Sequence, residues 1–247
     1  MKKPILVIIA DFSKDEPELQ NSKYKSTNKS YLEVGYSVLH IIASDQVSTS
    51  SEYRISDFHR VVKRPNLGYD FGSWAHSLRY EDHLLEFDHL VFTNSSLIGP
   101  LYDPSSFFDA LLELNGDVKA AVESAQVVPH FQSYLWSIDP EKLLTTGIKD
   151  FLMSFLDVPI NREEAIAKGE LRFPEILKNL GFVYDSLFPA GSLCPLDKNP
   201  SLDAPFRLIA NGFPFIKKSL LESKYLTDSF RDDLTKFAPN FDWSLER

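Results

Sequence analysis

The first patterned stretch of the chain is apolar on both faces: Pro4 to Ala10 runs through Ile5-Leu6-Val7-Ile8-Ile9 without a polar break. A strand reads this way when both of its faces are covered, as at the centre of a parallel sheet. Tyr36–Ala43 and Phe58–Lys63 predict a second and a third strand. His89–Phe92, Val118–Val122 and Phe131–Ile138 predict three more. Residues 13–32 and 44–52 are rich in Ser, Thr, Lys and Asn and predict loops. Ser73–Leu85 predicts a helix. Asp103-Pro104 opens another, with Asp as the cap and Pro in the first turn. Phe107, Leu111 and Leu112 give that helix an apolar face, and Asn115-Gly116 stops it. Asp139-Pro140 caps a further helix. Glu170–Leu180 reads as helical despite Pro174, with Gly181 as its stop, and Ser201–Leu226 as helical with a break at Gly212-Phe213-Pro214.

This alternation predicts an α/β fold, a mostly parallel, Rossmann-like sheet sandwiched by helices. Ligands of such sheets bind beyond the carboxyl ends of the strands. Asp11, the loop 64–72 and the loop 93–96 all fall on that edge. At 247 residues the chain is expected to be one domain, in two halves of about 1–100 and about 101–247.

Composition narrows the partners. There are 26 Lys+Arg against 35 Asp+Glu, a net charge of −9, which argues against nucleic acid as a partner. Cys194 is the sole cysteine, so neither an internal disulfide nor a cysteine zinc site is available. A reducing, cytoplasmic setting fits. The apolar run after Met1-Lys2-Lys3 is far shorter than the ~20 residues of a spanning helix. Lys217, Lys218 and Lys224 could touch a membrane surface peripherally or simply form a solvated face. The 19 Phe, 10 Tyr and 3 Trp suit a carbohydrate or nucleotide enzyme and suit a packed core equally.

The most distinctive segment is Arg64 to Trp74. A loop carrying Asn66, Gly68, Asp70 and Gly72 between strand and helix can turn backbone N–H groups toward an anion. It can also be a plain turn with Asp70 capping the helix. Thr93-Asn94-Ser95-Ser96 follows a strand where nucleotide-handling folds often place an acidic, metal-binding pair. Amides and hydroxyls are poor ligands for Mg²⁺ or Mn²⁺. His130 and Gln132 share one side of a strand by alternation, either as site residues or as core. No Gly-x-Ser-x-Gly elbow supports a hydrolase, and no His-x-x-x-His supports zinc.

Four blocks together resemble the rhamnan synthesis protein F family of bacterial polysaccharide glycosyltransferases: RPNLGYDFGSW (64–74), LVFTNSSLIGPL (90–101), HFQSYLW (130–136) and NGFPFIKKSLL (211–221). More distantly they are similar to inverting nucleotide-sugar transferases of the GT-A fold. Asn66-x-Gly68 matches the Asn-x-Gly loop, residues 93–96 stand at the Asp-x-Asp position, and Glu170 stands 11 residues before Gly181-Phe182, at the acidic position. The resemblance implies transfer of a sugar, rhamnose or another deoxysugar from a dTDP donor, to an oligosaccharide or lipid-linked glycan acceptor. It also implies a cytoplasmic protein, or one peripheral at the inner face of the membrane. The donor contacts would be Asp11, Asn66, Gly68, Asp70, Thr93, Asn94, Ser95, His130, Gln132 and Lys217. The base would be Glu170, with Glu123 next. Ser95 departs from the family's Asp, which argues for weak or absent divalent-metal dependence. The alternative is a non-catalytic nucleotide- or glycan-binding module on the same fold.

Overall fold

In a computed structural model, residues 4–15, 17, 22–222 and 227–241 are described. Eleven strands are found there: β1 Ile5–Ser13, β2 Ser37–Ser44, β3 Ser51–Ser56, β4 His59–Pro65, β5 His89–Asn94, β6 Leu97–Ile98, β7 Val118–Ser124, β8 His130–Phe131, β9 Leu135–Ile138, β10 Tyr184–Phe188 and β11 Ile216–Lys217. The principal helices are α1 Ser22–Glu33, α2 Tyr69–Ser77, α3 Ser105–Leu112, α4 Thr146–Met153, α5 Phe173–Asn179, α6 Pro205–Ala210 and α7 Asp228–Phe237.

A nine-stranded sheet has the order β10-β7-β9-β5-β1-β2-β4-β3, with β8 added on β7. The run β5-β1-β2-β4 is parallel throughout, and β7 is parallel to β10. β9 is antiparallel to β5 and β7, and β3 is antiparallel to β4. The fold is therefore the expected α/β type, a mostly parallel central sheet between helices. β6 and β11 form a separate two-stranded ribbon.

The alternation within β1 explains the two-faced apolar run. Leu6, Ile8 and Ala10 enter one core with Phe71, Trp74, Phe92, Trp136 and Phe173, while Ile5, Val7 and Ile9 enter the other with Phe107, Phe108 and Leu111. Trp136 stacks on Phe92 at 4.2 Å between ring centres. The aromatic content is thus largely core.

Several elements differ from the sequence expectation. Residues 22–33 are helical rather than loop, and β3 lies in and beyond the polar stretch 44–52. Every residue of β3 is exposed, so no apolar alternation betrays this edge strand. Helix α2 begins at Tyr69, not Ser73, because Gly68 takes the left-handed conformation (φ 72°) and serves as its cap. The predicted strand 131–138 is divided into β8 and β9. β10 was not anticipated. Instead of one helix, 201–226 holds α6, a further helical turn at Pro200–Asp203, β11 and a 3₁₀ turn; Lys224 lies outside the described residues.

Because β9 runs against β5, with Leu135 paired to Thr93, its entry segment 132–134 arrives at the carboxyl edge beside Asn94. That edge is also where β1, β2 and β4 end.

Candidate functional site

At this edge a cleft of about 330 Å³ is lined by Asp70, Asn94, Ser96, Gln132, Ser133, Tyr134, Arg162, Glu170, Asn199 and Lys217 among others. Both halves of the chain contribute.

The loop before α2 is held by Arg64. Its guanidinium is fully buried and donates to Ser73 Oγ at 2.9 Å and to the Leu67 carbonyl. Burial lowers its pKa to about 10, so it stays charged at neutral pH. A Cβ at Gly68 would collide with the Phe155 carbonyl. Asn66 donates to Asp45 at 2.8 Å on the exposed side of the loop. Asn66 and Gly68 thus build the turn and do not line the cleft. Asp70 does, one residue after Tyr69, which has an uncommon positive φ of 52°. Asp70 makes no capping bond, since Gly68 caps α2 without a side chain. Its Oδ2 accepts from Asn94 Nδ2 at 2.7 Å. Burial pushes the Asp70 carboxyl up to about 6, against the hydrogen bond from Asn94 and the charge of Lys217.

Asn94 ends β5 and is itself anchored, its Oδ1 accepting from the Ser96 N–H at 3.1 Å and the Ser96 hydroxyl at 2.6 Å. Thr93 and Ser95 face a small cavity of about 30 Å³ with Asp11 and His40, which adjoins the cleft at Asn94. Thr93 hydrogen-bonds Tyr31, and the Ser95 N–H donates to the Ala10 carbonyl at 3.0 Å. Asp11 is buried, 3.3 Å from His40 Nε2, and its Oδ1 accepts from the Phe12 N–H. Asp11 therefore lines this cavity and not the cleft.

Lys217 comes from β11 rather than from a helix. Pairing of β11 with β6 brings it to the cleft, where Nζ sits 3.3 Å from Ser96 Oγ and 4.1 Å from the centre of the Tyr134 ring. Burial lowers its pKa to about 8, while Glu170 and Asp70 act to keep it charged.

Glu170 closes a π-helical turn, Ile166–Glu170, rather than opening a helix. Asn161 starts this segment with a capping box to Glu164. Gly169 lies against Phe71, so close that a Cβ there would meet the ring at 2.5 Å. Glu170 Oε2 accepts from Ser133 Oγ at 2.5 Å and Ser133 N–H at 3.3 Å, and Oε1 lies 3.4 Å from His130 Nε2. Burial would raise its pKa, but His130, Ser133 and Lys217 together hold it below the usual value. His130 is shifted upward: burial opposes its charge, and Glu170 and the Val128 carbonyl outweigh burial. Gln132 stands 3.0 Å from His130 and accepts from Asn199 at 3.3 Å. Glu123 lies outside the cleft, fixed by Tyr184 Oη at 2.5 Å and the Ala190 N–H at 3.0 Å.

Of the sequence candidates, the structure gathers Asp70, Asn94, Gln132, Glu170 and Lys217 in the cleft, with His130 behind Glu170. Asp11, Asn66, Gly68, Thr93, Ser95 and Glu123 lie elsewhere. Ser96 enters the cleft as part of the loop 93–96, whereas Ser133, Tyr134, Arg162 and Asn199 carry no separate expectation, although Ser133 and Tyr134 stand inside the block 130–136. Among the described residues no three His, Cys, Asp or Glu side chains converge. The Asn94 side-chain carbonyl is engaged by Ser96, and the Lys217 ammonium is influenced by both cleft carboxylates. Among the described residues no helix is long and apolar enough to cross a membrane.

Compared with known proteins, residues 39–240 match the family described as rhamnan synthesis protein F. The chain is 30% identical over 192 residues to the virulence protein VirA of Vibrio anguillarum, covering 65% of this chain and 61% of that one. It therefore spans less than two thirds of that relative's length. A glycosyltransferase involved in the glycosylation of the major capsid of PBCV-1 overlays with a TM-score of 0.47 at 10% identity, covering 95% of this chain and 99% of that chain.

Proposed function

Because the chain belongs to the rhamnan synthesis protein F family, we propose that it is a glycosyltransferase acting in cell-surface polysaccharide synthesis. It moves a sugar from a nucleotide-sugar donor to a glycan acceptor, with inversion at the anomeric carbon.

The observation that carries this reading is one cleft at the carboxyl edge holding two cations and two carboxylates. A nucleotide-sugar donor leaves as a nucleoside diphosphate, and the charge that develops on it must be met by fixed positive groups or dipoles. Lys217, with a pKa of about 8, is an ammonium at neutral pH. The exposed Arg162 lines the same cleft and supplies a guanidinium, which suits a diphosphate. The diphosphate lies between these two, and a divalent ion is not needed. The sugar then points toward Asp70 and Glu170, with Ser96, Gln132 and Asn199 as neutral hydrogen-bonding partners. The acceptor enters from the open side, past the exposed ring of Tyr69. Rhamnose as the sugar, a lipid-linked acceptor and a peripheral place at the inner face of the membrane, near the exposed Lys218, belong to the same proposal.

The test is turnover with a panel of nucleotide sugars, dTDP-rhamnose included, and oligosaccharide acceptors. Release of nucleoside diphosphate that depends on acceptor supports the reading. Tight donor binding with no turnover on any pair would instead identify a non-catalytic module.

A further inference from the structure

The two carboxylates of the cleft are held in different ways. Glu170 has both oxygens engaged, Oε2 by two donors of Ser133 and Oε1 beside His130. To accept a further proton it must give up part of that support. Its lowered pKa reflects the same commitment. The Asp70 carboxylate is held through Oδ2 alone, by Asn94, and has no other hydrogen bond among the described residues. Asn94 is in turn locked by Ser96, so the Asp70 carboxyl is oriented by a rigid neighbour. Oδ1 remains for a ligand in a cleft that Asp70 lines.

We propose that Asp70, and not Glu170, is the base that receives the acceptor's proton, and that Glu170 is a positioning residue for Ser133 and His130. This rests on the transferase reading above. The acceptor hydroxyl oxygen forms a bond to the anomeric carbon. The bond from that carbon to the diphosphate oxygen breaks, and its electron pair leaves with the nucleoside diphosphate beside Lys217 and Arg162. The hydroxyl proton passes to Asp70 Oδ1.

The electrostatics agree with the geometry. A base works best with a pKa near the working pH. Burial, with smaller contributions from Asp11 and Glu170, brings Asp70 up to about 6 despite Asn94 and Lys217. The charged groups that act on it are thus Lys217 on β11, Asp11 on β1 from the neighbouring cavity, and Glu170 on the π-helical turn. Lys217 remains protonated below about 8. Turnover therefore needs Asp70 ionised and Lys217 protonated, which gives a bell between these two values.

The experiment compares Asp70→Asn, Asp70→Glu and Glu170→Gln in the full chain, with the donor and acceptor pair that wild type turns over. Thermal melts establish that each variant is folded, and binding of dTDP and UDP is measured alongside. Asp70→Asn should lower kcat by about a hundredfold or more. It should bind the nucleoside diphosphates no worse than wild type and lose the acid limb of the pH profile near 6. Asp70→Glu should restore part of the rate. Glu170→Gln should keep the acid limb. A folded Asp70→Asn that retains most of its turnover overturns the proposal, as does an acid limb that disappears in Glu170→Gln instead. Wild type that binds donors and turns over none removes the transferase reading and this proposal together.

Discussion

Asp70→Asn should make the protein more stable at neutral pH. Burial is the largest influence on this carboxyl and raises it from 3.8 to about 6. The folded protein thus holds the proton more tightly than the unfolded chain does. The stability contributed is full below 3.8, declines as pH rises toward about 6, and is gone above it. Moving the carboxyl that far corresponds to about 3 kcal/mol lost at neutral pH, taken as an upper figure. Asparagine has the same shape, has nothing to ionise, and can still present a carbonyl oxygen to Asn94. It also takes from Lys217 a charge that helps to hold the ammonium, which offsets part of the gain. A net gain of ~1–3 kcal/mol at neutral pH follows, or about 2–12 °C in Tm for a chain of this size. The assay is a pair of melting series for wild type and variant from about pH 4 to pH 8. The two should melt together at the acid end and separate steadily up to about pH 6.5, with the variant above. A difference that does not change with pH, or a variant that melts lower at neutral pH, refutes the reasoning and makes Asp70 a stabilising partner of Lys217. A residue that costs stability in its working state is a common mark of a functional site.

Other consequences can be tested on the same protein. Lys217→Met removes the charge proposed to face the diphosphate, and titration calorimetry with dTDP should show affinity lower by about 10- to 150-fold, as for loss of one charge-assisted hydrogen bond. An equal affinity would place the diphosphate elsewhere. Excess EDTA should leave turnover unchanged, and activity that disappears with the chelator and returns with Mn²⁺ would overturn the metal-independent reading. Glu123→Ala strands Tyr184 Oη and the Ala190 N–H. It should cost about 1–3 kcal/mol in urea unfolding while the rate per folded molecule stays at the wild-type level.

The central strands were legible because burial on both faces leaves an unmistakable signature, as in Ile5 to Ala10. β3 left none, since an edge strand with exposed side chains has no reason to alternate. Helix α1 was hidden by its polar composition, although Tyr31 within it is buried. The strand predicted over 131–138 was broken at 132–134 by demands of the cleft, into which Gln132, Ser133 and Tyr134 all turn. The conspicuous block around Asn66 and Gly68 is accounted for by the buried guanidinium of Arg64 and the contact of Gly68 with Phe155, and only Asp70 of its candidates reaches the cleft. Spacing singled out Glu170, which lines the cleft, but could not reveal that Ser133 and His130 engage it. Arg162 carries no local signal, as an arginine at the start of a short helix is ordinary until the fold turns it toward Lys217.

The wide turn at 166–170 means that the direction of Glu170 depends on a count of residues. A π-helical turn holds one residue more than the α-helical turn it replaces. Wound as a regular α-helix over the same residues, at about 100° for each, the segment would carry Glu170 past Ser133 and His130 with its chemistry intact. Loss of one residue from the turn itself would restore the α-helical count and leave the residues on either side facing as they do. This stretch should therefore tolerate loss of that one residue better than any other change of length. In aligned relatives, a one-residue gap at 166–170 is compatible with a kept site, and an insertion or a longer gap would mark a remodelled one.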